Sequence, residues 1–378
     1  MIPRLKILIL VNWKEEGRWY FLRSLKNRVE QASVLQPVSL KHSVKGKLTH
    51  VSIYLSEFYV PILALFRRKH FDIIVSWQMR IGICYGILKR FFHANKPPVH
   101  IIQDFHIDLT QTQWYYRFQI ALLKLAISGI DYFCCTSTEE EAIYSRMFKI
   151  PRSRIIFLPL VESPDNFEKQ TYIEQDYIFS YGKSDRDFDT LIRSVSLLNI
   201  KTYILSPKYK PRVPVPENVF IIRDYISGNE LVKWIASSRI MVLPLKDYRV
   251  SAGQISMLEV MSLARPLIIT ENMATKEYAI HKQTALFFEA GNDKELTDHI
   301  QYLWNHREVA KDIGQQALQA ILKLHDKRIK IFSDLLERCS MDILKENADA
   351  SQSSPNSAKK DKCVNEIINR RKNAENNS

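Results

Sequence analysis

The chain has 378 residues, with 54 Lys and Arg against 41 Asp and Glu, a net charge of +13. Hydrophobic residues make up 46% and aromatics 11%, which excludes a largely disordered or collagen-like chain; at roughly 100–200 residues per domain, the length suggests two domains that can each bury a core. Among only 10 glycines neither a Gly-x-Gly-x-x-Gly fingerprint nor a Gly-x4-Gly-Lys-Ser/Thr loop occurs, and the longest apolar runs fall far short of the ~20 residues that span a bilayer.

Along the chain, short β-rich apolar runs alternate with helix-length amphipathic stretches, the pattern of parallel α/β sheets. Strands are predicted at 5–11, 72–77, 99–103, 132–136 and 155–158. After a polar stretch near 162–175 the alternation restarts, with strands at 177–181, 202–205, 219–222, 240–243, 266–270 and 285–288. Thr138 with Glu141, Ser227 with Glu230 and Asn292 with Glu295 have the spacing of capping boxes and mark helix starts. Residues 308–322 and 326–344 read as closing helices. These blocks predict an α/β fold of two Rossmann-like lobes with parallel sheets facing a central cleft. Residues 1–165 form the first lobe, 166–325 the second, 326–344 a closing helix and 345–378 a disordered polar tail.

The charge is uneven. Residues 1–100 hold 17 Lys and Arg against 5 Asp and Glu, whereas residues 166–344 hold 24 against 23. The excess is interleaved with aromatics, as in Arg18-Trp19-Tyr20-Phe21, Phe66-Arg67-Arg68-Lys69 and Lys89-Arg90-Phe91-Phe92. Three readings compete: a nucleic-acid surface, an anionic membrane surface and an ordinary solvated face. No RNP, basic-zipper or zinc-finger pattern accompanies the charge, so no nucleic-acid partner is expected. The five cysteines have no framework or zinc spacing, and Cys134–Cys135 lie in an apolar run that suits a buried role. No metal site is expected. No cleaved leader opens the sequence, so the expected location is cytoplasmic, peripheral to the membrane face where the basic lobe binds lipid.

The chemistry concentrates in 176–305. A strand ends in Gly182-Lys183, followed by Ser184-Asp185-Arg186-Asp187 at the mouth of a helix, which places two cations where a diphosphate could sit. Further on, a Val242-Leu243-Pro244 strand leads through a polar loop with Ser251 to Gly253-Gln254 and a helix bearing Glu259. Gly253 at the helix start exposes backbone N–H groups that favour an anion. Glu259, amid apolar neighbours, needs a partner; ribose hydroxyls or a structural Arg or Lys would serve.

Over about 130 residues this segment resembles the C-terminal lobe of GT-B glycosyltransferases, specifically the retaining family 4. The residues that carry the resemblance are Gly182-Lys183, Arg186, Val242-Leu243-Pro244, Gly253, the run from Glu259 to Thr270, Thr284 to Phe288, and Gly291-Asn292-Asp293. The resemblance implies a metal-independent hexosyltransferase that moves a sugar from a nucleotide diphosphate donor to a glycan or lipid-linked acceptor with retention, in cell-surface polysaccharide or glycolipid synthesis, without a cofactor. It also implies that Lys183 and Arg186 neutralise the donor diphosphate, that Glu259 holds the ribose, and that Gly253-Gln254 faces donor phosphate or sugar. Ser251 stands where the family carries a Glu that contacts the sugar, and Arg265 where it carries Gly. In the first lobe, His106 falls where the family places a His near the donor sugar, beside Asp104. Asn12 and Gly17 follow the first strand on the acceptor side. Asp185-Arg186-Asp187 spells the Asp-x-Asp metal motif of the other glycosyltransferase fold and reads as coincidental. A catalytically degenerate scaffold and a nucleotide-sugar epimerase of the same fold are the alternatives.

Overall fold

In the computed structural model the described residues are 5–14, 20–37, 47–92, 98–107, 114–161, 172–246 and 252–352. They build two six-stranded sheets, each parallel throughout. The first contains β1 (Lys6–Leu10), β2 (Gln31–Leu35), β3 (Ile73–Gln78), β4 (Val99–Asp104), β5 (Tyr132–Cys135) and β6 (Ile155–Phe157), in the order β2-β1-β3-β4-β5-β6. The second contains β7 (Gln175–Tyr181), β8 (Thr202–Leu205), β9 (Val219–Ile222), β10 (Ser238–Leu243), β11 (Leu267–Thr270) and β12 (Leu286–Phe288), in the order β12-β11-β10-β7-β8-β9.

Both faces of each sheet are covered, which is why most strands are apolar runs rather than alternating ones. On one face of the first sheet lie α2 (Lys47–Arg67), α3 (Met79–Phe91), α4 (Trp114–Ala126) and α5 (Thr138–Phe148), through Val60, Tyr85, Leu123 and Tyr144. On the other lies α1 (Tyr20–Lys26), through Leu22 and Leu25. The second sheet is covered by α6 (Phe188–Val195), α7 (Gly228–Ser237), α8 (Gln254–Ser262) and α10 (Asp293–Asn305); the short α9 (Thr275–Tyr278) follows β11. Each fully buried Leu, Ile, Val, Phe or Met in these layers contributes about 1.5–3 kcal/mol relative to exposure.

The predicted pair of closing helices is one continuous helix, α11 (Arg307–Gln352). Its first half buries Ala310, Ile313, Ala317 and Ile321 against the second lobe, and its second half buries Phe332, Leu335, Leu336 and Cys339 against the first. The stretch 323–325, which separates the two predicted helices, is the crossing between lobes. There Arg328 is buried, donates to the Pro159 carbonyl, and has its pKa lowered to about 10 by burial. The helix also carries residues 345–352, the start of the predicted tail; residues 353–378 lie outside the described residues.

Two local corrections follow. β2 was not expected, because Leu35 alone of its five residues is buried. The cap of α5 is Ser137, one residue before Thr138, and its side chain accepts from the Glu139 N–H at 3.2 Å. Ser227 and Asn292 cap α7 and α10, accepting from the N–H groups of Glu230 and Glu295. Cys134 and Cys135 are buried in β5, where burial pushes their thiol pKa values up.

Candidate functional site

In the second sheet, β8 and β9 extend to one side of β7, and β10, β11 and β12 to the other. The β7–β10 boundary is therefore a topological switch point, and a crevice opens beyond the carboxyl ends of these two strands. Tyr181 ends β7, and Gly182 turns the chain with φ +137°, a conformation L side chains rarely adopt. A Cβ on Gly182 would lie 2.4 Å from Arg186 Nε, so the glycine also makes room for that guanidinium.

Arg186 is held at three points. Nε donates to the Tyr181 carbonyl at 3.0 Å, Nη1 to the Ser184 carbonyl at 3.0 Å, and Nη2 to Ser256 Oγ on α8 at 2.9 Å. These bonds use three of the five guanidinium N–H groups and aim the rest from a fixed plane. Burial lowers its pKa, against the pull of Tyr181, Asp185 and Glu259. Lys183 is exposed on the same turn.

The α8 side meets it from β10. Gly253 caps α8 with φ +87°, and a Cβ there would press within 2.9 Å of Leu245. Met257, Leu258, Val260 and Met261 bury the helix, leaving Ser256 and Glu259 one turn apart on the half-buried side. The Tyr181 hydroxyl donates to Glu259 Oε2 and lies 3.3 Å from the Ser256 carbonyl. Burial raises the Glu259 pKa, while Tyr181 and Arg186 pull it down. Among the described residues the direct bond to this carboxylate comes from Tyr181 rather than from a structural Arg or Lys. Gln254 turns across the cleft, and its amide donates to Thr136 Oγ1 of the first lobe at 3.1 Å.

Thr136 leads to His106. Glu140, 2% exposed, accepts through Oε2 from the Thr136 N–H at 3.1 Å and the Thr136 hydroxyl at 3.2 Å. Its Oε1 lies 2.9 Å from both His106 Nδ1 and the Tyr144 hydroxyl, which donates to it. A chain of side chains thus links His106, Glu140, Thr136 and Gln254. Further bonds across the lobes run from the Tyr278 hydroxyl to the Thr136 carbonyl at 2.8 Å and from the Thr138 N–H to Glu277 Oε1 at 3.1 Å. Asp104 closes β4. Its side chain is open to solvent, yet the protein around it excludes enough water to raise its pKa, against His106 and Arg328. Asn12, after β1, donates to Glu57 on α2 at 3.2 Å, and Arg80 pairs with the same carboxylate. Gly17 and Ser251 lie outside the described residues.

Asp187 caps α6, accepting from the Thr190 N–H and hydroxyl, so it acts within the helix start. Among the described residues no group of three or more His, Cys, Asp and Glu side chains could hold a metal ion. Arg265 pairs with Glu174 and donates to the Ala236 and Ser238 carbonyls, tying β10 to β7. The sequence reading missed Tyr181, Ser256, Thr136 and Glu140. The available signals were the Ser256–Glu259 spacing of three on one helix, the Thr136–Glu140 spacing of four across the start of α5, and a Tyr as the last residue of an apolar strand.

Residues 188–306 match the family model described as Glycosyl transferases group 1. No curated protein sequence matches the chain. Solved structures do resemble it. Sucrose-phosphate synthase from Thermosynechococcus elongatus superimposes with a TM-score of 0.61 at 12% identity, over 92% of this chain and 100% of that one. HepE from Anabaena, in complex with UDP-glucose, gives 0.60 at 9% identity, over 88% and 99%. A glycosyltransferase from Rickettsia africae gives 0.56 at 13%, over 91% and 98%. At these identities the likeness is one of fold, the two-lobed GT-B architecture.

Proposed function

From a second lobe that carries a glycosyl transferases group 1 domain within a GT-B fold, we propose that this protein transfers a sugar from a nucleotide diphosphate donor to a glycan or lipid-linked hydroxyl, with retention and without a metal ion. The observation that carries this reading is the meeting of Arg186 and Glu259 at the β7–β10 switch point, joined through Tyr181 and Ser256. The HepE complex with UDP-glucose on the same fold supports a nucleotide-sugar donor.

The chemistry follows from charge. As the bond between the sugar carbon and the diphosphate oxygen breaks, negative charge grows on the departing diphosphate. Arg186, fixed by three bonds, and Lys183, exposed beside it, meet that charge already oriented, so little reorganisation is needed in the transition state. The N-terminus of α8 at Gly253 adds backbone N–H groups and the positive end of a helix dipole. Glu259 accepts from the ribose hydroxyls. The acceptor oxygen forms the new bond to the sugar, its proton passes to the departing diphosphate, and the nucleoside diphosphate leaves. On this reading His106 contacts the sugar, and Asp104 and Asn12 serve the acceptor side. Two protein cations perform the neutralisation that a divalent metal would otherwise supply.

Ser251, standing where the family carries a carboxylate, favours a second reading: a lobe pair that binds the donor without transferring it, as a scaffold for polysaccharide assembly. Release of nucleoside diphosphate from a panel of nucleotide sugars, with and without candidate acceptors, separates the two. Transfer requires release that Lys183→Ala and Arg186→Ala abolish. Binding without release in any combination supports the scaffold.

A further inference from the structure

The helix layer formed by α2, α3 and α4 is well packed on its inner side and apolar on its outer side as well. α2 buries Val60 and Ala64 against the sheet, yet Tyr54, Leu55, Phe58, Ile62 and Phe66 point to solvent, Phe66 at 78% exposure. A helix apolar on both faces is ordinarily covered by something. Between residues 54 and 66 the only charged side chain is Glu57, and it is turned inward to Asn12 and Arg80. α4 continues the pattern: Trp114 and Phe118 are exposed, at 80% and 59%, with Arg117 and Lys124 exposed on the same stretch.

The charges around this face have one sign. Arg67 ends α2 and Arg68 and Lys69 follow it, while Arg90 stands at the end of α3 beside Phe91 and Phe92; the neighbouring Lys89 is turned inward to Asp131. Across α2, α3 and α4 the inward-turned Glu57 is the sole acidic residue. A second copy docked here would set these cations against their like. Anionic headgroups neutralise them, while the exposed aromatics suit the boundary between headgroups and acyl chains. No helix among the described residues is long and apolar enough to cross a membrane, so the contact is one of lying on the surface.

We propose that the outer face of α2 and α4 seats the first lobe on an anionic bilayer, with the apolar stripe running up to the cleft rim. The topology gives the direction. Helices that connect parallel strands run back along them, so the basic ends of α2 and α3 lie away from the cleft and Tyr54 lies towards it. Arg80 sits 5.7 Å over the Tyr54 ring and pairs with Glu57, which holds Asn12 at the carboxyl end of β1. An acceptor carried on a lipid would then reach the cleft without leaving the bilayer, a consequence that rests on the transferase reading.

The test is co-sedimentation of the full chain with phosphatidylcholine vesicles, neutral or containing about 30 mol% phosphatidylglycerol. Binding is expected to the anionic vesicles, to weaken at about 0.5 M salt, and to shift tryptophan emission to the blue by an amount reduced in Trp114→Phe. At roughly fivefold per basic residue near the surface, Arg67→Glu with Lys69→Glu should lower partitioning by about 25-fold or more. Phe58→Ser with Phe66→Ser should lower it by about tenfold or more. These positions are exposed, so unchanged melting temperatures establish that the variants fold. Absence of binding to anionic vesicles, binding indifferent to both double variants, or a dimer in solution that both variants break would overturn the proposal. Nucleoside diphosphate should raise the melting temperature of both variants as it does that of the parent chain. If vesicle binding holds and no nucleotide stabilises any of them, the donor site fails and the membrane face stands.

Discussion

The hydroxyl of Tyr181, at the end of β7, donates to the carboxylate of Glu259 on α8, while the carbonyl of the same Tyr181 accepts from Arg186 Nε at 3.0 Å. One residue thus orients both the acidic and the basic arm of the candidate donor site.

Tyr181→Phe removes the direct donor to a half-buried carboxylate, and a hydrogen bond to a charged group is worth about 1.5–3 kcal/mol. Nucleoside diphosphate binding at neutral pH should weaken roughly tenfold or more, measured by calorimetry; an unchanged affinity contradicts the ribose role of Glu259. The pH dependence has a definite sign. Burial raises the Glu259 pKa above its ordinary 4.5, so the ionised form that accepts from ribose is lost at a higher pH than usual as pH falls. Tyr181 pulls that pKa down, so the variant should lose affinity at a higher pH still.

Gly182→Ala should be costly, unlike a change at a glycine in ordinary backbone with open space around it. Its φ of +137° and the 2.4 Å approach of Arg186 Nε to a new Cβ combine backbone strain with displacement of the guanidinium. A loss of about 1–3 kcal/mol in stability, together with weaker nucleotide binding, is expected in denaturant titrations and calorimetry. Gly228, at the start of α7 with open space around it, is the control, and Gly228→Ala should be neutral or slightly stabilising. Equal effects at the two sites contradict the account.

Glu140→Gln should separate catalysis from binding. The carboxylate fixes His106 Nδ1 and the Thr136 hydroxyl that receives Gln254. Misplacing a reacting group slightly costs about 10- to 100-fold in turnover, so kcat should fall in that range and the pH profile of kcat should change. Nucleotide affinity should stay close to that of the parent chain. A variant with the parent's kcat and pH profile removes His106 from the mechanism.

His100 makes the first lobe acid-sensitive. It is fully buried between Ser76, 2.9 Å from Nε2, and the Gly129 carbonyl, 3.1 Å from Nδ1, and burial lowers its pKa to about 3. Below its ordinary value of 6.5 the unfolded chain takes up a proton that the folded chain refuses until about pH 3. Stability should therefore fall as pH drops through that window, with a slope of up to about 1.4 kcal/mol per pH unit from this group. Denaturant titrations of His100→Gln against the parent chain should show a shallower slope; parallel slopes contradict the assignment.

The fold was legible wherever burial on both sides wrote an apolar run, as in β1, β7 and β10, and where a cap announced a helix, as at Ser227 and Asn292. β2 escaped because an edge strand with one buried side chain carries no such run. The unity of α11 escaped because its polar middle serves a crossing between lobes, where His325 and Arg328 are buried. At the site, Lys183, Arg186 and Glu259 stood out as charges in apolar or strand-end settings. Tyr181 did not, since a Tyr ending an apolar strand looks like core until its hydroxyl is placed against Glu259. Thr136 and Glu140 escaped because their bonds to Gln254 and His106 reach other elements, which spacing along the chain does not report.

The most direct test of the donor site is a thermal-shift panel of nucleoside diphosphates and their sugars on the parent chain, Glu259→Ala and Lys183→Ala. At a ligand concentration about 100 times Kd, binding stabilises the folded chain by about 2.7 kcal/mol. At least one nucleotide should raise the melting temperature of the parent chain by several degrees, with the shift reduced or lost in both variants. A flat panel on the parent chain, or equal shifts in all three proteins, would contradict a nucleotide site between β7 and α8.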